Sequence, residues 1–499
     1  MADSAPAGFS LRKEGATAFR NALKLATSLA LTWGIALVIT FKLPRYLGPL
    51  ALGWYRYGFE YAATLAVFLH FGVDTYISRE IPVRPKHASD FFGGVALARV
   101  LLMVPLFAFG WWHLGHRLHE EKVAAVLFGF TQVFIVMNLT FQQMLQAAST
   151  VGRLAVANVV AKLVWGGGIL GAVLLGAPFW VLPVPMLLAE ALKAAFLYAA
   201  TRAAIGLELR VDLGETKKVL RASLPFFLAI AAVYIGASFD VVLLRELVPD
   251  TSEEVGWYSA AREIARLSAL MMPVLTGVLV PMMSRAMHHD ERRFYDLVRR
   301  GMEGVCVVSI PFTLLLALGA RFAIGLVLRE RFLPASDSLE WLAPTFVLSY
   351  VNSLLWLALM IMKRSWTITI VSIVGTALLP IFILVAVPLT RDLGDGKTGM
   401  GVAMALSARE LVNAVVFLAI MGKRAVDGRA LAAIAKSLGI CCAVVAAHVA
   451  LAPLGPARLA IDAVLYATLA LATRVVRPSD VRELLRLIKN RKQLQADAA

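Results

Sequence analysis

The chain has 499 residues, 59% of them hydrophobic and 16% charged, and its mean hydropathy is +0.74. Globular domains run at about 45–50% apolar, so a soluble enzyme or binding module is excluded. The formal charge of +16 would suggest nucleic acid in a soluble protein. Here the Lys and Arg residues gather at one end of the apolar runs, as on the cytoplasmic side of membrane spans, and no nucleic-acid partner is expected.

Residues 1–21 are polar and basic, with no convincing cleavage site, and are expected to be retained in the cytoplasm. A helix of about 20 apolar residues crosses the hydrocarbon layer and satisfies its own backbone there. On that measure the sequence predicts an all-α polytopic membrane protein of about 14 transmembrane helices. Six fall near 22–42, 53–73, 91–112, 123–147, 154–176 and 179–201, making a lobe over 22–201. A basic cytoplasmic linker follows at 202–221. A second lobe over 222–421 holds spans near 222–244, 255–281, 299–320, 339–362, 365–389 and 398–421. Two accessory spans near 431–452 and 457–475 lie within 422–475. "RFAIGLVLRERF" (Arg321 to Phe332) is too short and too charged to span. The segment 476–499 reads as an amphipathic helix on the inner leaflet, with Val481, Leu484, Leu485 and Ile488 on one face. Both termini then face the cytoplasm.

No soluble domain is inserted, and the longest outer loop is short. Cys306, Cys441 and Cys442 sit in apolar runs and suggest neither disulfide nor zinc site. "HLGHRLHE" (His113 to Glu120) reads as a polar loop, and "WGGG" (Trp165 to Gly168) as a close helix contact that lacks the Lys-Ser/Thr of a nucleotide loop. No metal and no cofactor are expected.

The chain repeats itself. "GWYRYGFE" (Gly53 to Glu60) returns as "GWYSAARE" (Gly256 to Glu263), each opening a span and each ending on a glutamate. "RYLGP" (Arg45 to Pro49) is matched by "RELVP" (Arg245 to Pro249), and the prolines midway in spans three and nine, Pro105 and Pro311, correspond. Spans one to six therefore recur as seven to twelve. Six is even, so the two six-helix repeats are parallel, the arrangement in which transporters hold substrate between their halves.

"RYLGPLALGWYRYGFEYAATLAVFLHFGVDTYISRE" and "VGWYSAAREIARLSALMMPVLTGVLVPMMSR" (Val255 to Arg285) resemble the signatures of polysaccharide-type flippases. These belong to the multidrug/oligosaccharidyl-lipid/polysaccharide superfamily. The likeness covers most of 20–420. The sequence departs from the family in "LALG", where an acidic segment is common, and in His70, where an acid is frequent.

A charge near a span centre costs about 2.5–3.5 kcal/mol to insert even on the lenient scale. Such residues should face a partner, the bundle interior or water. Arg56 stands one turn before Glu60, and Glu263 within one turn of Arg266. As pairs these simply neutralise each other. Glu190 with Lys193 and Arg409 with Glu410 read as internal pairs. The resemblance implies instead a cationic cavity, lined largely by spans one, two, seven and eight, for a phosphate- or pyrophosphate-linked lipid. Guanidinium groups meet phosphate with paired, charge-assisted hydrogen bonds. By motif match Arg262 is the leading substrate residue, with Arg266, Arg56, Lys24, Arg99 and Lys162 as further cavity candidates. Glu60, Glu263 and Asp240 are candidates for a coupling ion.

The function so implied is translocation of a polyprenyl-linked oligosaccharide across the bacterial inner membrane by alternating access, for surface polysaccharide such as O-antigen or exopolysaccharide. A polymerase and glycosyltransferases of the same pathway would be partners, beside membrane lipids, and the chain would not be an enzyme. The alternatives are a drug/cation antiporter of the same superfamily and a polyprenyl-dependent glycosyltransferase or polymerase.

Overall fold

A computed structural model describes residues 11–473 and 475, apart from 149, 268–271, 423, 424, 426 and 427. The side chain of Lys24 and the tail at 476–499 lie outside the described residues. The described residues are almost wholly helical and contain no strand. Among the described residues, eleven helices are long and apolar enough to cross a membrane, twelve if one bent helix is counted as a span.

The chain divides into two compact units. One reaches to Arg245 and includes Pro249–Ser252; the other comprises Glu246–Val248 and the chain from Glu253 onward. The first unit contains α1 (Leu11–Ala66), α2 (Val73–Glu80), α3 (Ala88–His113), α4 (His119–Ala147), α5 (Val151–Leu174), α6 (Val184–Ile205) and nearly all of α7 (Leu213–Leu247). The expected first and second spans share α1, which Gly48 (φ 71°, ψ 174°) interrupts with a conformation open to glycine. α7 is the bent helix: Leu213–Leu228 and Ile230–Leu247 meet at 49°, and Pro225 lies inside the first of these arms.

The second unit contains α8 (Glu254–Leu267), α9 (Met272–His289), α10 (Glu291–Leu318), the short α11 (Ala320–Leu328), α12 (Ala335–Leu342) and α13 (Pro344–Ile361). It continues with α14 (Ser365–Thr390), α15 (Lys397–Met421), α16 (Gly428–Ala450) and α17 (Arg458–Ala472). The expected eighth span takes in α8, the first part of α9 and residues 268–271, which lie outside the described residues.

Apolar side chains serve two solvents. Phe91, Phe92, Phe141 and Met144 are buried in the first unit, and Phe294, Leu355, Ala358 and Phe417 in the second. Leu174 and Leu175 are 85% and 86% exposed, which water would not favour and lipid does.

The duplication is visible in the packing. In the first unit the Asn138 amide on α4 donates to the Glu190 backbone carbonyl (3.0 Å) and its Oε2 (2.8 Å) on α6. In the second, the Asn352 amide on α13 donates to the Glu410 carbonyl (3.0 Å) and Oε2 (2.7 Å) on α15. The fourth and sixth spans of each repeat carry the same lock. Each carboxylate also has a cation: Lys193 Nζ lies 3.9 Å from Glu190, and Arg409 donates to Glu410. The internal pairs read from the sequence are thus made, each completed by an asparagine from another helix.

The repeated GWY phrase packs its helix. In the first copy Tyr55 meets Phe128 edge-on at 4.9 Å, and a Cβ on Gly58 would stand 2.7 Å from that of Ala124. In the second, Trp257 Nε1 donates to the Arg331 carbonyl (2.9 Å), while the Glu254 carboxylate accepts from the N–H groups of Gly396 and Gly399 at 2.8 Å each. Glu254 so satisfies orphan donors at the N-terminus of α15, where the helix dipole favours an anion.

The Arg-x-Leu-x-Pro frame of the second copy also has a defined role. Arg245 Nε donates to Glu121 Oε1 (2.6 Å), and its Nη2 to Asp250 Oδ1 (2.7 Å), which Arg117 Nη1 also reaches (3.0 Å). Both guanidinium carbons lie 5.9 Å from the centre of the buried Tyr57 ring.

Candidate functional site: a polar pocket in the first unit

The second span ends in the phrase "LHFGVD" (Leu69 to Asp74). A 3-10 turn closes the span at Leu69; the backbone then reverses through Phe71 (φ 54°) and Gly72 (φ 70°), both left-handed, before α2 begins. Gly72 is required twice over. Its φ strains any residue with a Cβ, and a Cβ there would stand 2.4 Å from Phe227 N and 2.6 Å from Ser223 O on α7. The turn therefore lies directly on the α7 backbone, with His70 and Asp74 flanking it.

They line a cavity of about 290 Å³. Thr75 and Ser78 of α2, Gln143 of α4 and Tyr234 of α7 add polar groups, and Leu139 and Ile230 complete the wall. The His70 ring is buried, its centre 4.6 Å from that of Tyr234.

Asp74 is held from behind. Arg99 on α3, only 2% exposed, donates Nε to the Leu69 carbonyl (2.9 Å), Nη2 to Thr140 Oγ1 (3.0 Å) and Nη1 to Met137 Sδ (3.4 Å). The Thr140 hydroxyl in turn donates to Asp74 Oδ1 (3.0 Å). One hydroxyl thus accepts from a cation and donates to an anion. Arg99 also caps the carbonyl end of the second span, where positive charge is favoured. The pocket so offers hydroxyls, an amide, an imidazole and an aromatic face around a carboxylate whose charge Arg99 offsets. That set complements a neutral polyol better than a small ion of either sign.

The residues singled out by sequence are distributed as follows. Arg262 lies in α8 and is 7% exposed; Glu263 beside it is half-buried and Arg266 is exposed. Glu60 is buried at 2% exposure, with Arg56 half-buried one turn earlier. Asp240, at 1% exposure, is buried in α7. Lys162 Nζ stands 4.0 Å over the Trp165 ring, a cation–π contact within α5. Arg99 is brought together with His70 and Asp74 rather than with the other candidates. Sequence reasoning missed Asp74, Thr140, Gln143 and Tyr234. The available signal was the glycine turn of "HFGVD", which folds a histidine and an aspartate onto one side.

A family model described as "Polysaccharide biosynthesis protein" matches residues 18–287, more than half of the chain. Among solved structures, the lipid II flippase MurJ in an inward closed conformation is similar at a TM-score of 0.66 and 12% identity, covering 94% of this chain and 100% of that one. An inward-facing multidrug resistance MATE family transporter of the MOP superfamily aligns at 0.59 and 16% identity, over 78% and 93%. A MOP superfamily transporter from Pyrococcus furiosus, described as having a binding pocket of reversed polarity, aligns at 0.55 and 16%, over 80% and 93%. Among curated proteins none matches significantly. With its multi-span helical architecture and a fold shared with MurJ and the MATE transporters, the chain belongs to the polysaccharide biosynthesis protein family.

Proposed function

We propose that the protein is a flippase that carries a polyprenyl-(pyro)phosphate-linked oligosaccharide from the inner to the outer leaflet of the bacterial inner membrane, for surface polysaccharide biosynthesis. The observation that carries this reading is the family match over residues 18–287. The polar pocket supports it, because hydroxyls, an amide and an aromatic ring suit a sugar. In this reading Arg262 takes the lipid-linked phosphate, assisted by Arg266, Arg56, Lys162 and Lys24. Glu60, Glu263 and Asp240 serve a coupling ion. Arg99 acts through Asp74, since its three nitrogens are already engaged. The six-helix lobes over 22–201 and 222–421 alternate access, both termini face the cytoplasm, and glycosyltransferases supply the substrate that a polymerase consumes.

A drug/cation antiporter shares the fold. It needs carboxylates free to hold a cation, whereas the carboxylate in this pocket is tied through Thr140 to a buried guanidinium. That favours the flippase.

The test is deletion of the gene, followed by measurement of surface polysaccharide and of polyprenyl-linked intermediates. Loss of the first with accumulation of the second is expected, restored by the wild-type chain but not by a normally expressed Arg262→Ala variant. Unchanged glycolipid with lost drug resistance would establish the antiporter instead. Full complementation by Arg262→Ala would remove that residue from the site.

A further inference from the structure

A second concavity lies on the first unit and shares no lining residue with the polar pocket. Gly93 and Gly94 let α3 approach the chain around α7 very closely: a Cβ on Gly93 would stand 2.1 Å from the Arg210 carbonyl oxygen, and one on Gly94 1.8 Å from Thr216 Oγ1. Beyond this contact the two helices leave a groove of about 640 Å³. Leu97 and Leu101 of α3 face Leu220 and Leu224 of α7 across it, and Lys217 and Arg221 stand on its rim.

The charges on this rim are selective. Three basic residues occur in the phrase "ETKKVLR" (Glu215 to Arg221). Lys218 is paired with Glu215 at 2.5 Å, off the groove. Lys217 and Arg221 are exposed, one helical turn apart, and among the described residues neither meets a carboxylate. They belong to the Leu213–Leu228 arm of α7, which is bent away from the remainder. Its basic stretch is the one that the positive-inside rule assigns to the cytoplasmic face.

We propose that this groove is a binding site for an anionic phospholipid of the cytoplasmic leaflet. The phosphate sits between Lys217 and Arg221, and an acyl chain follows Leu97, Leu101, Leu220 and Leu224 into the bilayer. Charge complementarity decides the occupant. A zwitterionic lipid brings its own ammonium beside these two cations as well as a phosphate and so leaves their charge uncompensated, whereas a net negative headgroup neutralises it near the surface. Lys and Arg stems also suit this position, lying along apolar surface with their heads in the interface. The site differs in place and residues from the Arg262 region, and a protein that binds the phospholipid without moving any glycolipid would leave the assignment standing.

The test uses the full-length protein purified in detergent and titrated with phosphatidylglycerol or phosphatidylethanolamine, with bound lipid counted by native mass spectrometry. At about 1 kcal/mol per basic residue near the surface, the preference for phosphatidylglycerol should be roughly 30-fold. Lys217→Gln with Arg221→Gln should abolish it, and Lys218→Gln should leave it intact. Filling the groove by Leu97→Trp with Leu220→Trp should displace the lipid while both charges remain. Excess inorganic phosphate should not compete, because it lacks the chain. Equal binding of the two lipids, or preference retained in the double Gln variant, would overturn the proposal. So would displacement of phosphatidylglycerol by stoichiometric polyprenyl phosphate, which would identify the groove as a carrier-lipid site.

Discussion

Thr140→Val tests whether one hydroxyl holds the polar pocket together. Valine nearly preserves the volume and the β-branch, so packing on α4 is retained and the perturbation is confined to Oγ1. Two contacts of 3.0 Å vanish, one from Arg99 Nη2 and one to Asp74 Oδ1. In water-soluble proteins each hydrogen bond to a charged group is worth about 1.5–3 kcal/mol. Within membrane bundles the measured mean is nearer 0.6 kcal/mol, with a maximum of about 1.7 kcal/mol. Two bonds at this depth then give about 1–3 kcal/mol, the upper end applying because the buried Arg99 and the half-buried Asp74 lose an interaction together. The assay is equilibrium unfolding of the purified protein in mixed micelles, run on Thr140→Val, Thr140→Ser, Asp74→Asn and the Val/Asn pair. Thr140→Ser keeps the hydroxyl and should remain close to wild type. The Val and Asn changes should couple by about 0.5–3 kcal/mol, as groups in one network do. If Thr140→Val lies within about 0.5 kcal/mol of wild type and adds independently to Asp74→Asn, the proposed bridge contributes nothing and the pocket is not preorganised by it.

Gly72→Ala should be more damaging than an ordinary loop substitution, because the new Cβ meets Phe227 N at 2.4 Å as well as adopting a left-handed φ. A loss above about 2 kcal/mol in the same unfolding assay is expected. Glu254→Ala removes the acceptor of two 2.8 Å backbone bonds and should cost about 1–3 kcal/mol, with Glu254→Gln intermediate. Asp250 gives a pH effect: the Arg245 hydrogen bond, then the Arg245 and Arg117 charges, outweigh burial and hold its carboxyl below the ordinary range. A lowered folded pKa contributes stability that is present above the ordinary value of about 3.9 and lost as pH falls through the folded one. Thermal stability should therefore decline below about pH 4, and Asp250→Asn should weaken that decline.

Much of the fold was legible because lipid imposes a simple rule. Apolar runs of spanning length announced the helices, and the GWY and Arg-x-Leu-x-Pro phrases announced the duplication. The helix count was less legible, because the hydropathy that marks a span does not mark where the backbone bends; Gly48 leaves two expected spans within α1, and α7 bends by 49° within one expected span. The asparagine locks could not be read in advance. Asn138 and Asn352 stand in unlike surroundings, "NLT" and "NSL", and their partners are 52 and 58 residues away. The pocket was hidden for the same reason. Arg99 and Asp74 are both conspicuous as charges, yet the hydroxyl that joins them comes from a third helix. The paired glutamates of the repeat show the limit of sequence symmetry, since Glu60 is buried and Glu263 only half so.

The distribution of satisfied charges bears on how such a protein could move. Glu190 and its partners lie in the first unit, and Glu410 with its partners in the second. Arg99, Thr140 and Asp74 belong to the first unit, as do Arg245, Glu121, Arg117 and Asp250; Glu254 and the α15 N-terminus belong to the second. Breaking a hydrogen bond to a charged group costs about 1.5–3 kcal/mol in water-soluble proteins. A mechanism that opened these locks at each cycle would meet that penalty several times over. Because each lies inside one unit, rigid-body movement of the units would leave all of them closed. A cysteine pair cross-linking α4 to α6 beside Asn138 should therefore leave glycolipid transport unchanged. Inhibition that reduction of the disulfide reverses would refute the rigid-unit mechanism.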